Sequence, residues 1–318
     1  MIVACWACHS RWYRVFYCAF FGVSFGLREH MTLSIAYLGP QGTYSEQAAL
    51  AYRHWLASQG AGDAVELRAY PSILQTIRAV AAAEVDLAIA PVENSIEGSV
   101  TVTLDALWQF ETLRIQQTLI LPIIHSLITY APDLAAIETV YSHPQALGQC
   151  QGWLLRQCPQ AKQIPTRSTT EALEHLESAP TTAAIASQWA AELYQLPTLE
   201  IAINDQPDNC TKFWVLGTTE HNVGQYTSLA FSLPVNAPGA LLKPLQILAT
   251  EGINLSRIES RPTKRSLGEY LFFIDVEASA TDPRLQTGLQ ALMTCTETIK
   301  VFGSYSAIPI TPGPEAEP

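Results

Sequence analysis

VDLAIA at residues 85–90 runs directly into PVENSIEGS at residues 91–99. The first segment is short and almost wholly apolar, which predicts a strand over Val85–Ala90 buried on both faces, as in a parallel sheet covered by helices. The second places Glu93, Asn94, Ser95 and Glu97 just beyond the strand, ahead of a helix over Val102–Phe110. In open α/β sheets that edge is where ligands bind.

Outward from this stretch the same alternation continues. Upstream lie a strand over Leu33–Leu38, a helix over Ser45–Ser58, a strand over Leu67–Tyr70 and a helix over Ser72–Ala83. Downstream, Leu113–Thr129 holds two strands around Pro122. The pattern then restarts with a strand over Val140–Ser142, helices over Ala146–Gln157 and Thr170–Leu176, and the apolar Ala183–Ile185. Leu199–Ile203 and Phe213–Leu216 are expected to return the chain to the first lobe. Two lobes, two crossovers and a cleft between them result, and such clefts are the default ligand site. After Gly217 the order changes to strand Ser228–Leu233, helix Gly239–Thr250, strands Ile253–Arg261 and Glu269–Val276, helix Pro283–Met293 and strand Thr298–Phe302. That is βαββαβ, a ferredoxin-like unit, with a linker expected over His221–Gln225. The expected organisation is an extension over residues 1–31, a two-lobed α/β domain over 32–217, a ferredoxin-like domain over 226–305 and a disordered Pro- and Glu-rich tail over 306–318.

Of 318 residues 48% are hydrophobic and 15% charged, which describes a well-buried globule, while the formal net charge of -11 supplies no general field for nucleic acid. No apolar run reaches the roughly 20 residues that cross a bilayer. Cys5, Cys8 and Cys18 crowd the first segment, and Cys150, Cys158, Cys210 and Cys295 are scattered without metal-ligand spacing, so a reduced cytoplasmic setting is expected. Met31 is read as the true start. Val15–Phe25 follows Arg11 and Arg14 as an apolar signal-like stretch but lacks a small-residue cleavage site, and the string from Cys5 to His9 matches haem attachment only by chance.

Five polar segments could carry chemistry. Gly39-Pro40-Gln41-Gly42-Thr43-Tyr44-Ser45 is a glycine turn before a helix, able to aim free N–H groups at a ligand. Asn94 and Ser95 lie in the stretch quoted first. Tyr141-Ser142-His143-Pro144-Gln145-Ala146, with Gln149 one turn on, repeats that arrangement in the second lobe, and Ser168-Thr169-Thr170-Glu171 reads as a capping box. Each alone is explained as a cap, and His143 is a weak catalytic candidate that is as easily a structural hydrogen-bonder. Together they suit an anionic ligand with more than one carboxylate. Asn209-Cys210-Thr211-Lys212-Phe213 adds a hydroxyl beside a cation. There is no phosphate loop, dinucleotide fingerprint or zinc spacing, so the reaction is expected to need no cofactor and no metal.

Taken in order, Gly39–Ser45, Pro91–Gly98, Ser142–Cys150 and Asn209–Phe213 resemble the signature segments of prephenate dehydratases. Behind them, Gly239, Ala240, Leu241, Leu242 and Glu259, Ser260, Arg261, Pro262 resemble the two phenylalanine-binding motifs of that family's C-terminal ACT domains. The resemblance implies a periplasmic-binding-protein-like catalytic domain and a cytoplasmic enzyme that converts prephenate to phenylpyruvate. It also implies L-phenylalanine as effector between paired ACT domains, hence a homodimer or homotetramer. It places Thr211, Ser142, Gln149 and Asn94 in catalysis, and Ser95, Ser168, Thr169, Lys212, Gly42 and Thr43 around the substrate. One departure is Lys212, where the family has arginine; the charge survives and the bidentate fork does not. The same motifs suit an arogenate dehydratase. A non-catalytic amino-acid sensor and an exported solute-binding protein are the readings from other classes.

Overall fold

The structure, a computed structural model, describes residues 32–60 and 64–310. The N-terminal extension, with Met31 and the Cys5–His9 string, lies outside the described residues, as do residues 311–318.

The first lobe opens with β1 (Leu33–Leu38), α1 (Tyr44–Ser58), β2 (Val65–Tyr70), α2 (Ile73–Ala81), β3 (Leu87–Asn94), β4 (Gly98–Ser99), α3 (Thr101–Gln109) and β5 (Arg114–Pro122). The chain crosses to a second lobe of β6 (His125–Thr129), β7 (Thr139–Ser142), α4 (Pro144–Gln149), α5 (Gln151–Gln157), β8 (Lys162–Pro165), β9 (Thr182–Ser187), α6 (Gln188–Leu193) and β10 (Thr198–Ile201). It returns through β11 (Cys210–Gly217). A third unit then follows: β12 (Tyr226–Ser232), α7 (Leu242–Thr250), β13 (Leu255–Pro262), β14 (Tyr270–Val276), α8 (Pro283–Met293), β15 (Thr298–Tyr305), and finally β16 (Ala307–Pro309).

The first sheet runs β16-β5-β11-β3-β1-β2, with β4 beside β3. Strands β1, β2 and β3 are parallel, as their apolar runs predict, but β11 is antiparallel to both β3 and β5. The returning chain enters from the cleft end, so its strand runs backward. Strand β3 begins two residues later than expected and extends to Asn94, because pairing with β11 carries the ladder through the polar segment. Asp86 is left as an anchor at the strand's start, accepting from the N–H and hydroxyl of Ser34 at 2.8 and 2.7 Å.

The second sheet runs β10-β6-β9-β7-β8. Leu199–Ile203 was expected to re-enter the first lobe; instead β10 pairs with β6 and stays in the second, so only β11 returns. The expected helix over Ala146–Gln157 is two helices. Cys150 leaves helical geometry at φ -118° and ψ 10°, and the Asp205 carboxylate takes the N–H groups of Gly152 and Trp153 at 2.6 and 2.8 Å. A carboxylate 53 residues away in sequence thus starts α5. Glu171–Ser178 is a 3-10 helix whose entry turn is capped as the sequence suggests, Ser168 Oγ accepting from the Glu171 N–H at 2.9 Å.

The C-terminal sheet, ordered β13-β14-β12-β15, matches βαββαβ. One face packs under α7 and α8 through Leu229, Phe231, Leu248, Ile274, Leu285 and Leu292. The other joins the first lobe's core: Phe273, Phe302 and Tyr305 pack with Leu104, Leu107, Ile115 and Trp214. His221 was expected at the start of a linker. It is buried, with Nδ1 against the Ser304 carbonyl, so the junction is docked. At Gly303, with φ +127°, a Cβ would meet the Ile115 carbonyl at 2.9 Å, an approach only glycine permits. The tail was expected to lose structure from residue 306, yet β16 adds to β5 in parallel and Ile310 is buried. Apolar Ile308 and Ile310 outweigh the neighbouring prolines.

Candidate active site

The returning strand builds the site. Thr211 lies directly opposite Asn94 on β3, and Lys212 directly opposite Glu93. Cross-strand partners share a face and consecutive residues do not, so Thr211 with Asn94 faces one way and Lys212 with Glu93 the other. Asn94 Nδ2 donates to Thr211 Oγ1 at 3.0 Å and to Asn209 Oδ1 at 2.9 Å. Its own Oδ1 accepts from the N–H groups of Ile96 and Glu97, each at 3.1 Å. Ser95 Oγ accepts from the Cys210 N–H at 3.0 Å, pinning the same loop.

The network crosses between lobes. Asn209 Nδ2 donates to Gln149 Oε1 at 2.9 Å, and His125 Nε2 lies 2.9 Å from the same oxygen. His125 Nδ1 meets the Tyr44 hydroxyl at 2.8 Å. Burial holds the His125 imidazole below the usual histidine range, against the opposing pull of the Gln149 oxygen. Burial likewise lifts the Tyr44 phenol well above its ordinary value. Gln149 is 6% exposed, and its Nε2 has no partner among the described residues. A buried amide N–H₂ group without an acceptor is expensive, and a ligand oxygen is what would satisfy it. Ser142 is fully buried at the end of β7 and donates to the Ile185 carbonyl at 2.6 Å.

Three expectations change. Lys212 Nζ pairs with Glu93 at 3.0 Å on the face away from Thr211, so it is not a free cation for a substrate carboxylate. Gly42 is no open cradle: its N–H donates to Glu46 at 2.6 Å. A Cβ there would meet Tyr194, Ala190 and Thr170 of the second lobe at 3.2–3.3 Å, and φ is +82°. Thr43 is spent as the N-cap of α1, accepting from the Glu46 N–H. This turn therefore packs directly against the second lobe. Ser168 keeps a hydroxyl proton beyond its cap, and Thr169 is half-buried beside it. His143 caps α4 through Nδ1, in line with a structural role.

Sequence reasoning missed His125 and Tyr44, and gave Asn209 no role. His125 was visible beside Ser126 in an otherwise apolar run, but its partners lie 24 and 81 residues away.

In the C-terminal domain, Gly239–Leu242 and Arg261–Pro262 share one end of the sheet, since Ser232 pairs with Leu271 and Pro262 with the adjacent Tyr270. Gly239 and Leu242 border a surface groove of about 510 Å³ with Lys243, Gln246, Ile247 and Ala291. Ser260 and Pro262 are exposed, but Glu259 and Arg261 turn to the first lobe. Ser99 Oγ donates to Glu259 at 3.1 Å, and the Arg261 fork grips Asp105 at 3.1 and 3.0 Å, with Lys264 adding 2.7 Å. Lys300 donates to the carbonyls of Leu107, Trp108 and Phe110 at the carboxyl end of α3. Helix α3, which follows the Asn94 loop, is thus held by the C-terminal domain at its middle and carboxyl end, and β4 just ahead of it through Ser99.

Two α/β lobes joined by two crossovers, followed by a docked ferredoxin-like domain, define a periplasmic-binding-protein-like catalytic domain with a C-terminal ACT domain. The sequence matches the family described as prephenate dehydratase over residues 35–221 and that described as ACT domain over residues 227–292. The chain belongs to the prephenate dehydratase family. It is 41% identical to a bifunctional chorismate mutase/prephenate dehydratase of Neisseria gonorrhoeae, over 86% of this chain and 74% of that one. It is 34% identical to a prephenate dehydratase of Lactococcus lactis subsp. cremoris, over 86% of this chain and 98% of that one. Among solved structures, a prephenate dehydratase from Arthrobacter aurescens in complex with L-Phe superposes with a TM-score of 0.77 at 32% identity, over 90% of this chain and 94% of that one. No helix among the described residues is long and apolar enough to cross a membrane.

Proposed function

We propose that the cleft binds prephenate and converts it to phenylpyruvate, carbon dioxide and water, with Thr211 as the hydrogen-bond donor to the departing hydroxyl. The bond from the ring to its carboxylate breaks and leaves its electron pair in the ring. The carbon–oxygen bond opposite breaks, one proton from solvent completes the leaving water, and the ring becomes aromatic. Neither oxidant nor electron sink is needed. What the protein supplies is orientation and donors placed where charge develops.

The observation that carries this reading is the Asn94–Thr211 bond. Asn94 fills an acceptor position of the Thr211 hydroxyl oxygen, which leaves the O–H hydrogen to point at the ligand. A threonine is a feeble acid on its own, and a donor already polarised from behind is better suited to a leaving hydroxyl. Gln149 Nε2 and the Ser168 hydroxyl are the donors for carboxylate oxygens, with Thr169 beside them and Ser95 and Ser142 holding the framework. With Lys212 turned away, carboxylate recognition rests on neutral donors.

L-phenylalanine is proposed as the effector at Gly239–Leu242 and Ser260–Pro262, between ACT domains of a homo-oligomer, acting on the cleft through α3. A reduced cytoplasmic setting suits the free thiols of Cys150, Cys158, Cys210 and Cys295.

The test is incubation of purified protein with prephenate at neutral pH, following phenylpyruvate by its absorbance in alkali, with Thr211→Ala and arogenate in parallel. Product formation that vanishes in the variant is expected. Turnover of arogenate alone would change the substrate, and silence on both by folded protein would favour the sensor.

A further inference from the structure

We propose that His125, held as the neutral Nε2–H tautomer, is the positioning residue that turns the Gln149 amide so that its N–H₂ group faces the substrate. This rests on reading the cleft as the prephenate site. The reasoning starts from two groups whose role is fixed. The backbone N–H groups of Ile96 and Glu97 both donate to the Asn94 side chain, so the atom they meet is oxygen and the other is nitrogen.

The rest follows step by step. Asn94 Nδ2 donates to Asn209, which must present its oxygen there and its Nδ2 to Gln149. Gln149 must then present oxygen to Asn209. His125 Nε2 sits 2.9 Å from that same oxygen, and an oxygen without hydrogen cannot donate, so Nε2 carries the proton. Nδ1 is left bare as an acceptor 2.8 Å from the Tyr44 hydroxyl, whose single hydrogen it shares with the Ile124 carbonyl at 2.9 Å. Gln149 Oε1 thereby has two donors, while its Nε2 is buried without any partner among the described residues. An amide held this way offers the cleft only N–H. Flipped, it would set two N–H₂ groups and an imidazole N–H against one another and present oxygen to a carboxylate.

Burial keeps the ring neutral, which suits a group that must carry one hydrogen and no more. The side chains that the His125 ring bonds are Gln149 and Tyr44, not Thr211, so it acts by orientation and not by proton transfer.

Nitrogen NMR of the full-length protein with labelled histidine reads the tautomer without any turnover. A proton on Nε2 of His125 is expected, and a proton on Nδ1 overturns the proposal. Two variants separate orientation from packing. His125→Gln places an amide N–H near the Nε2 position, whereas His125→Asn reaches toward Tyr44 and falls short of Gln149. The first is expected to keep kcat/KM within roughly tenfold of the parent and the second to lose on the order of 10²-fold, at matched thermal stability. Equal losses in both overturn the proposal. If the unaltered protein turns over no prephenate, the assigned reaction falls, while the tautomer spectrum still decides the role of His125.

Discussion

Asn94 Nδ2 reaches Thr211 Oγ1 across 3.0 Å, between strands that are antiparallel and that meet only because the chain has made a complete excursion through the second lobe. The bond runs in one direction, from amide to hydroxyl. Asn94→Asp keeps the shape and reverses the direction, since a carboxylate accepts and would draw the Thr211 hydrogen away from the ligand. That variant is expected to lose about 10²–10³ in kcat, comparable to deleting an oxyanion donor. Thr211→Ser is expected to retain most activity and Thr211→Val almost none. Steady-state phenylpyruvate assays check all three, and a fully active Asn94→Asp would remove the proposed donor role.

Lys212 pairs with Glu93, with both side chains about one-third exposed. Lys212→Arg and Lys212→Met are therefore expected to leave KM for prephenate within about threefold, as neither alters a substrate contact. The Met variant should lose at most about 1 kcal/mol in urea unfolding. A large rise in KM for Lys212→Met, with Lys212→Arg near normal, would return the residue to carboxylate binding.

Asp105 on α3 takes Arg261 and Lys264 of the ACT domain. Asp105→Asn is expected to raise the phenylalanine concentration for half-inhibition about fivefold or more, with basal kcat little changed, because it loosens the link between effector edge and Asn94 loop. Unaltered inhibition would place the coupling elsewhere.

Burial alone would raise the Asp105 carboxyl, but the hydrogen bonds and charges of Arg261 and Lys264 outweigh it and hold the group below the usual carboxylate range. A depressed folded value means stabilisation that is present above the unfolded value, about 3.9, and is lost as pH falls through the folded one. Thermal unfolding should therefore show a larger acid loss for the parent than for Asp105→Asn only below about pH 4, with parallel profiles from pH 5 to 8. Profiles that diverge near neutrality would mean another group is responsible.

Lys300 satisfies three carbonyls at the carboxyl end of α3, where a cation also complements the helix dipole. Lys300→Met leaves those acceptors unpaired and is expected to cost about 1–3 kcal/mol of stability, read from urea denaturation. A neutral outcome would mean that solvent replaces the ammonium.

Much of this molecule was legible in order of residues. Continuous apolar runs marked the parallel strands β1 and β3, Ser168 stands as the cap that its spacing from Glu171 suggested, and βαββαβ from Ser228 onward was read with nearly the observed bounds. These are local properties: side-chain period, capping chemistry and turn residues act over a few positions and need no partner. The signature segments around Asn94, Ser142, Gln149 and Thr211 were likewise visible as polar punctuation after buried strands.

What tertiary structure decided was direction and partnership. Only the antiparallel return of β11 puts Thr211 against Asn94 and turns Lys212 to Glu93, since a strand's alternation fixes opposite faces but not which face meets the cleft. Only folding brings Asp205 to start α5, Gly42 against the second lobe, and Glu259 and Arg261 to Ser99 and Asp105 rather than to an open edge. Hydrogen-bond polarity, from the Ile96 and Glu97 amides through Asn94, Asn209 and Gln149 to His125, belongs to no one segment. Each group's role is set by the neighbour that folding supplies, because a buried donor must find an acceptor and sequence distance has no bearing on which one it meets.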